Sequence, residues 1–285
     1  MSLHSLTKIA ALISVILGFA SGCTTATSLD PVGAISMAPV TEKSAAIVVD
    51  GSTGAVLYQA GADLPRIPAS LTKMMTLYLT FEALQSGRIS KGTLIPVSAH
   101  AASQAPSKLG FKPGQTIDVD TAIKAIVVKS ANDVAVAMAE YLGGTEEQFA
   151  AQMTAKGRRL GMRGTTFRNA SGLPDAQQVT TARDMALLGL SLRKHYPQHY
   201  YYFVAQDFTF NGKLIRGHNR VLAQLNGADG IKTGYVRASG FNIVTSVNDN
   251  GRQLVAVVMG GETARVRDAQ VVSLVTAYLP QVAQK

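Results

Sequence analysis

The sequence has few of the residues that form cross-links or bind metals. It is 285 residues long, with one cysteine, no tryptophan and five histidines. A single cysteine cannot form a disulfide within the chain or a thiolate zinc site. None of the histidines occurs in an H-E-x-x-H pattern. We therefore expect no metal and no other cofactor.

Charged residues are also scarce, at 16% of the chain, and the two signs are unequal. Lys and Arg total 27 against 18 acidic residues, for a net charge of +9. The basic residues are scattered, whereas a nucleic-acid-binding protein more often concentrates them on one element. We expect no nucleic-acid partner. The hydrophobic share of 47% excludes a disordered chain.

No apolar run in the sequence is long enough for an ordinary membrane span. The longest, residues 9–20, has the length of the hydrophobic region of a secretory signal. The ASGC tetrapeptide that follows it ends at Cys23 and resembles a bacterial lipobox. We predict a lipoprotein signal peptide over residues 1–22, lipid on Cys23 and a flexible leader over residues 23–43. Ordinary cleavage after Ala26 is the alternative, and in both cases we expect export to the periplasm.

Hydrophobic patterning divides residues 44–285 into strands, then helices, then strands and a last helix. The strands at both ends of this region are joined as hairpins, which implies an antiparallel sheet. We predict one domain of the α+β class, an α/β/α sandwich in which helices flank the antiparallel sheet. The helical block forms a separate all-helical lobe, and we expect a cleft where the lobe meets the sheet.

Turn and capping residues predict the bounds of these elements. The predicted strands cover residues 44–50, 55–60, 203–210, 213–217, 231–233, 241–247 and 254–260. The predicted helices begin at or next to Leu71, Asp120, Asn132, Thr145 and Thr181, and the closing helix covers residues 264–282. Residues 91–116 have three prolines and several glycines and are predicted as a loop.

The first chemical motif is S-x-x-K at Ser70 and Lys73. Ser70 follows Pro68-Ala69 and opens a predicted helix, where free N–H groups and the positive end of the dipole lie. Lys73 is three residues on and shares the same face. A buried lysine can lose its proton and take one from the serine. The second candidate, Ser191 with Lys194, is interpreted as the solvated end of a helix.

Two further motifs follow in the chain. Ser130-Ala131-Asn132 lies between two predicted helices, where Asn132 could also be a plain helix cap. Lys232-Thr233-Gly234 lies on a predicted edge strand. In this order, the three motifs are typical of serine β-lactamases and penicillin-binding proteins. The middle motif is S-A-N instead of S-D-N, which favours the penicillin-binding proteins over class A β-lactamases.

The chain resembles the D-alanyl-D-alanine carboxypeptidases among the low-molecular-mass penicillin-binding proteins, which have a β-lactamase/transpeptidase-like fold. The resemblance covers residues 45–279. Its longest blocks are RIPASLTKMMT, KSANDVAVAMAEYLGG, LGMRGTTFRNASGLPD, ADGIKTGYVRASGFN and GGETARVRDAQ. Many members carry a second β-rich domain and a C-terminal anchor after the closing helix. We expect lipid on Cys23 to replace that anchor.

The resemblance implies the removal of the terminal D-alanine from peptidoglycan stem pentapeptides through an acyl-enzyme. Ser70 is then the nucleophile and Lys73 the base. Ser130 bridges Lys73 and Lys232 and passes a proton to the leaving amine. The backbone N–H groups of Ser70 and Tyr235 form the oxyanion hole.

The resemblance also implies how the substrate is bound. Asn132 holds the substrate amide, and Lys232 and Thr233 face its terminal carboxylate. Arg267 is either the family arginine that binds the same carboxylate or a solvated cation on the helix face. A β-lactam mimics D-Ala-D-Ala and is expected to acylate Ser70.

Three other functions compete with the carboxypeptidase. A D,D-endopeptidase that cuts peptidoglycan cross-links would share every motif. An inactive protein that only binds peptidoglycan or penicillin is the alternative of another class, and the three intact motifs argue against it. A weak β-lactamase is disfavoured because no E-x-x-L-N sequence follows S-A-N.

Overall fold

The structure is a computed structural model that describes residues 42–284. In chain order the strands are Ala45–Asp50 (β1), Val56–Ala60 (β2), Leu94–Pro96 (β3), Thr116–Asp118 (β4), Asp207–Phe210 (β5), Lys213–Arg216 (β6), Ala228–Val236 (β7), Gly240–Asp249 (β8) and Arg252–Gly261 (β9). The α-helices are Lys73–Gln85 (α1), Ala99–Ser103 (α2), Val119–Lys124 (α3), Asn132–Gly143 (α4), Glu146–Arg159 (α5), Ala182–His195 (α6) and Ala264–Tyr278 (α7). The 3₁₀ helices are Ala69–Thr72, Pro197–Val204, Arg220–Ala223 and Leu279–Gln281.

Five of the strands form one antiparallel sheet in the order β2-β1-β9-β8-β7. The first hairpin, β1 and β2, therefore pairs through β1 with β9, a strand from the C-terminal part of the chain. This pairing allows the hairpin to bury its apolar side. Strand β7, which carries the K-T-G motif, lies at the edge of the sheet as predicted. The edge position leaves one side of its backbone free of a neighbouring strand.

Side chains alternate between the two faces of the sheet and build two apolar cores. Ile47 lies opposite Val257, and both face the core that contains the helical lobe. Their neighbours Val48 and Ala256 face the other core, with α7. This period of two is what a sheet covered by helices on both faces requires. The α/β/α sandwich predicted from the sequence is confirmed.

The capping residues of the lobe were partly predicted correctly. Thr145 and Thr181 are the N-caps of α5 and α6, and each accepts a hydrogen bond from a backbone N–H three residues on. The predicted cap at Asp120 was wrong: Asp118 is the N-cap of α3 and accepts from Thr121. Asp120 lies in the first turn and bonds to Lys124 and Tyr202 instead.

Two segments were predicted as the wrong kind of structure. The predicted loop over residues 91–116 contains β3 and α2. Strand β3 pairs with β4, which begins at Thr116, so the paired residues are 20 to 24 positions apart. Residues 197–204, partly predicted as a strand, form a 3₁₀ helix. Its Tyr200 and Phe203 are both buried at the i,i+3 spacing that places side chains on one face of that helix. In the described part of the chain, no helix has the length and apolar character needed to cross a membrane.

Candidate active site

Ser70 lies in the 3₁₀ turn that precedes α1, half-buried at the meeting point of the lobe and the sheet. The α-helix begins at Lys73, two residues later than predicted. The turn is strained at Ala69, whose φ of 49° lies in the left-handed region. Two glycines allow neighbouring backbone to approach this turn closely. A Cβ on Gly172 would lie 1.8 Å from the Ala69 carbonyl oxygen, and one on Gly234 would lie 3.0 Å from the Ser70 nitrogen.

Lys73 is fully buried, and its amine lies beside the Ser70 hydroxyl. Nζ is 3.2 Å from Ser70 Oγ and 2.6 Å from Asn132 Oδ1, and it also donates to the carbonyl oxygen of Ser171. A neutral amine has two N–H groups and one lone pair. When the two N–H groups donate to the Asn132 amide oxygen and the Ser171 carbonyl oxygen, the lone pair faces the Ser70 hydroxyl. The geometry is that of a base ready to take the serine proton.

The surroundings of Lys73 favour the neutral amine. Burial lowers the pKa of Lys73 well below its ordinary value, and the charge of Lys232 lowers it further. The carboxylates of Asp133 and Glu146 act in the opposite direction and raise the pKa. Because burial is the largest cause, the net shift of the Lys73 pKa is downward.

Ser130 lies at the end of a π-helical segment, Ala125–Lys129, with a left-handed backbone (φ 58°). Among the residues that the structure describes, its buried Oγ has no hydrogen-bond partner. The expected bridge to Lys73 and Lys232 is therefore not made in this structure. Lys73 donates to Asn132 and Ser171 instead, and Lys232 donates to the Thr233 carbonyl oxygen.

Asn132 was predicted to hold the substrate amide, with helix capping as the alternative. Capping is excluded, because Ala131 occupies the N-cap position and Asn132 is the first residue of α4. The side chain is 4% exposed; its Oδ1 accepts from Lys73, and its Nδ2 donates to the Ala105 carbonyl at 2.8 Å. Asn132 therefore fixes the position of the Lys73 amine.

Strand β7 forms the opposite wall of the site. Lys232 is 2% exposed, and its Nζ donates to the Thr233 carbonyl oxygen at 2.8 Å. Burial lowers the pKa of Lys232 to about 7, and the charge of Arg267 contributes to the same shift. Tyr235 is half exposed, and its ring stacks on Phe241 with a centroid distance of 4.2 Å.

Arg267 is buried in the first turns of α7. Its burial excludes the interpretation of Arg267 as a solvated cation on the helix face. Its Nε and Nη2 donate to Asp268 Oδ1 at 2.9 and 2.6 Å, and its Nη1 donates to the carbonyl oxygen of Asn242 at 3.0 Å. Burial lowers the pKa of Arg267, and Asp268 opposes this shift. Its positive charge is thus partly balanced by a neighbouring carboxylate.

These residues surround a cavity of about 410 Å³. It lies between the 3₁₀ turn Ala69–Thr72, called the nucleophile turn below, the 106–107, 130–132 and 171–173 segments and β7. Six predicted site residues line it: Ser70, Ser130, Asn132, Thr233, Tyr235 and Arg267. Lys73 and Lys232 lie behind its wall and reach it through their bonds to Ser70 and Thr233.

The sequence analysis missed Ser171, whose carbonyl oxygen accepts from Lys73. No side-chain motif could identify a backbone acceptor 98 residues away. It also missed Asp133, which is fully buried and accepts from the backbone N–H groups of Leu109 and Gly110, so that it holds the segment that follows the 106–107 wall of the cavity. In residues 42–284 no three His, Cys, Asp or Glu side chains are grouped in a way that could hold a metal ion. Cys23 and the predicted signal lie outside the described residues.

Comparison with known proteins identifies the family of the chain. The model of the peptidase S11 family, D-alanyl-D-alanine carboxypeptidase, matches residues 34–263. The chain belongs to this family. It is 36% identical over 237 residues to D-alanyl-D-alanine carboxypeptidase DacC of Escherichia coli, with 81% of this chain and 59% of that protein covered. Identity to DacF of Bacillus subtilis is 33%, with 82% and 61% covered. The chain spans about three fifths of the length of these relatives.

Solved structures of family members share the fold. The D-alanyl-D-alanine carboxypeptidase DacD from Francisella tularensis superposes with a TM-score of 0.80 at 29% identity, over 90% of this chain and 75% of that one. Penicillin-binding protein D2 from Listeria monocytogenes, solved in an ampicillin-bound form, gives a TM-score of 0.73 at 27% identity. That match covers 85% of this chain and 98% of the Listeria chain.

Proposed function

We propose that this protein is a serine-type D-Ala-D-Ala carboxypeptidase that trims the terminal D-alanine from peptidoglycan stem pentapeptides. The observation that carries the proposal is the buried amine of Lys73, with two acceptors fixed at Asn132 and Ser171 and its third position directed at Ser70 Oγ. Family membership supports the same activity.

Acylation begins when Ser70 Oγ attacks the carbonyl carbon of the D-Ala-D-Ala bond while its proton moves to Lys73 Nζ. The carbonyl oxygen becomes an oxyanion, which the backbone N–H groups of Ser70 and Tyr235 stabilise. Each such donor contributes about 3–4 kcal/mol to the transition state. The close approach of Gly234 to the Ser70 nitrogen supports this convergence of strand and turn.

The tetrahedral intermediate breaks down when the C–N bond cleaves and the leaving amine takes a proton. Ser130 is suited to deliver it, because its buried hydroxyl has no other hydrogen-bond partner in the described structure. The hydroxyl donates its own proton to the amine and receives the one that Lys73 took from Ser70. Water then attacks the acyl carbon with Lys73 again as the base, which releases the shortened peptide and restores Ser70.

The β7 wall supplies recognition of the terminal carboxylate. The Thr233 hydroxyl and the Lys232 ammonium are a donor and a charge on the same strand, next to the N–H of Tyr235. Charge-assisted hydrogen bonds in such a desolvated site are stronger than neutral ones. A β-lactam presents the same carboxylate and an activated amide, so we expect β-lactams to acylate Ser70. Penicillin-binding protein D2, a structural neighbour, was solved with ampicillin bound.

We further propose that the protein acts in the periplasm, attached to the membrane through lipid on Cys23. The support is in the sequence: an apolar segment of signal length, small residues before Cys23, and the absence of any other cysteine. Several acyl chains on one N-terminus hold a protein at a membrane firmly. Mass spectrometry of the mature N-terminal peptide tests this directly, and an unmodified Cys23 in membrane-extracted protein would refute it.

The activity itself is tested by D-alanine release from a peptide that ends in D-Ala-D-Ala. The purified protein should release D-alanine and be labelled covalently by a fluorescent penicillin, and Ser70→Ala should abolish both. Ser191→Ala is the matched control, because Ser191 belongs to the second S-x-x-K sequence of the described residues and its Oγ donates to the Leu187 carbonyl oxygen within α6. Labelling that survives in Ser70→Ala but disappears in Ser191→Ala would contradict the assignment. Labelling without D-alanine release would favour the inactive binding protein.

A further inference from the structure

Asn242 is a fully buried polar residue on β8 that none of the three motifs contains. Its side-chain Nδ2 donates to the carbonyl oxygens of Ile67 and Pro68 at 3.0 and 3.2 Å. Its Oδ1 accepts from the backbone N–H of Gly260 at 2.9 Å. The amide thus uses both donors and its acceptor, and it joins the sheet to the segment that leads into the nucleophile turn.

Asn242 holds residues 67–68, which lie next to the strained part of the backbone. Residues 67–68 lead directly into Ala69, whose left-handed backbone is strained, and then into Ser70. A strained conformation persists only where surrounding contacts fix it. The Pro68 carbonyl oxygen accepts from Leu71 N–H within the turn and from Asn242 across to the sheet. Asn242 is therefore the polar link between the start of the turn and β8.

Asn242 also lies on β8 directly opposite the K-T-G motif of β7. In the sheet register it pairs with Gly234, the residue before Tyr235. Its own carbonyl oxygen accepts from Arg267 Nη1 at 3.0 Å. The residue therefore contacts the nucleophile turn, the K-T-G strand and α7, yet it does not line the cavity among the residues described.

We propose that Asn242 is a positioning residue that sets the separation between the nucleophile turn and β7, and so the convergence of the Ser70 and Tyr235 N–H groups on the oxyanion. This inference rests on the proposed acyl-transfer function. Asparagine suits the position because two carbonyl oxygens need donors and one N–H needs an acceptor. Aspartate has the same shape but would place a carboxylate against both carbonyl oxygens.

The test compares Asn242→Asp and Asn242→Ala with the native protein in stopped-flow acylation by a fluorescent penicillin. The dissociation constant and the acylation rate constant are measured separately, together with the labelled fraction at saturation and the deacylation rate. We expect the acylation rate constant to fall about 10- to 100-fold, part of the loss caused by removing an oxyanion donor. Deacylation should slow by a similar factor, because it passes through the same oxyanion, and the dissociation constant should change little.

Thr245→Val is the matched control on the same strand. Thr245 is fully buried, and its Oγ1 has no hydrogen-bond partner within the described residues. We expect native rate constants for this variant. A merely structural role for Asn242 would lower the labelled fraction while the folded molecules kept native rate constants.

The outcomes separate this inference from the proposed function. Native protein that is not acylated at all would refute the acyl-transfer function. Native acylation with unchanged rate constants in both Asn242 variants would overturn the positioning role alone. A weaker dissociation constant with an unchanged acylation rate constant would also overturn it, as would failure of both variants to fold, which would assign Asn242 a structural role.

Discussion

At the scale of single residues, the chemistry depends on which form of Lys73 is present. An ordinary lysine is protonated at neutral pH and cannot act as a base. Burial lowers the pKa of Lys73, so the neutral amine forms at a lower pH than for an exposed lysine. The acylation rate should therefore rise with pH as Lys73 loses its proton.

Glu146 offers a way to move this pH dependence without touching the cavity. It is buried, its Oε1 accepts from the Ala170 N–H at 3.0 Å, and its charge raises the pKa of Lys73. Glu146→Gln keeps an acceptor for Ala170 and removes the charge. Since a lost negative charge destabilises the ammonium, the pKa of Lys73 should fall. The rise in acylation rate should move to lower pH, as measured with a fluorescent penicillin across a pH series.

The neighbouring residue provides the control for this prediction. Glu147 is exposed and is not among the charges that act on Lys73. Glu147→Gln should leave the pH profile of acylation unchanged. A profile that moves to higher pH in Glu146→Gln would mean that Lys73 is not the base or that its amine has been displaced.

At the scale of the elements, the site depends on how closely β7 passes the nucleophile turn. A Cβ on Gly234 would lie 3.0 Å from the Ser70 nitrogen and 3.1 Å from the Leu71 nitrogen. Gly234→Ala should push the strand from the turn and slow acylation about 100-fold, the effect of a displacement of roughly 1 Å. The fold should persist, because Gly234 does not have a positive φ.

This prediction is checked by acylation kinetics and far-UV circular dichroism. Gly92→Ala is the control, since nothing lies within 4 Å of its added Cβ and its φ is not positive. Acylation at the native rate in Gly234→Ala would show that the strand and turn can separate without loss of the oxyanion site.

Elements set by local patterns could be predicted from the sequence, and those set by distant contacts could not. The Thr145 and Thr181 caps follow from capping residues, and the strands β7, β8 and β9 follow from short segments of strand-forming residues bounded by turn residues. The β3–β4 pair is three residues long on each strand, too short to show a period. The 3₁₀ helix over residues 197–204 also escaped prediction, because its buried aromatic residues resemble the apolar content of a strand.

The site shows the same division. Ser70 and Lys73 are three residues apart, so a local motif reveals them. The Ser171 carbonyl and the Asn242 amide reach the site only through tertiary contacts. Every residue has a backbone carbonyl oxygen, so the sequence cannot show which one accepts from Lys73. Arg267 was identified by resemblance, but its pairing with Asp268 required the structure.

At the scale of the whole molecule, recognition of the substrate is a matter of charge in the cleft between lobe and sheet. The net charge of +9 is spread over the chain, so it does not itself select a substrate. Arg267 lines the cavity and is partly balanced by Asp268, whereas Lys232 lies behind the cavity wall and donates only to the Thr233 carbonyl oxygen among the described residues. We therefore expect Lys232 to have the larger part in carboxylate recognition. Its pKa of about 7 means that its charge is present below that pH and is lost above it.

The last prediction concerns which bond is cut. A carboxypeptidase binds a free terminal carboxylate, whereas an endopeptidase admits a continuing chain, although the D-centre of a cross-link also carries a carboxylate. A charge-assisted hydrogen bond from Lys232 or Thr233 contributes about 1.5–3 kcal/mol, or roughly a tenfold to hundredfold preference. We expect faster D-alanine loss from a monomeric pentapeptide than cleavage of an equal concentration of cross-linked dimer.

The charge argument is tested most sharply with the pentapeptide and its C-terminal amide at pH 6 and pH 8. The acid should be preferred at pH 6, where Lys232 is charged, and the preference should shrink at pH 8 as Lys232 loses its proton. The amide is the matched control, because it keeps the scissile bond and the peptide but lacks the carboxylate. Equal rates for acid and amide at both pH values would remove Lys232 from carboxylate recognition. Faster cleavage of the dimer than of the pentapeptide would assign the protein to the endopeptidases, since the same cleft would then select the D-centre within a chain over a free end.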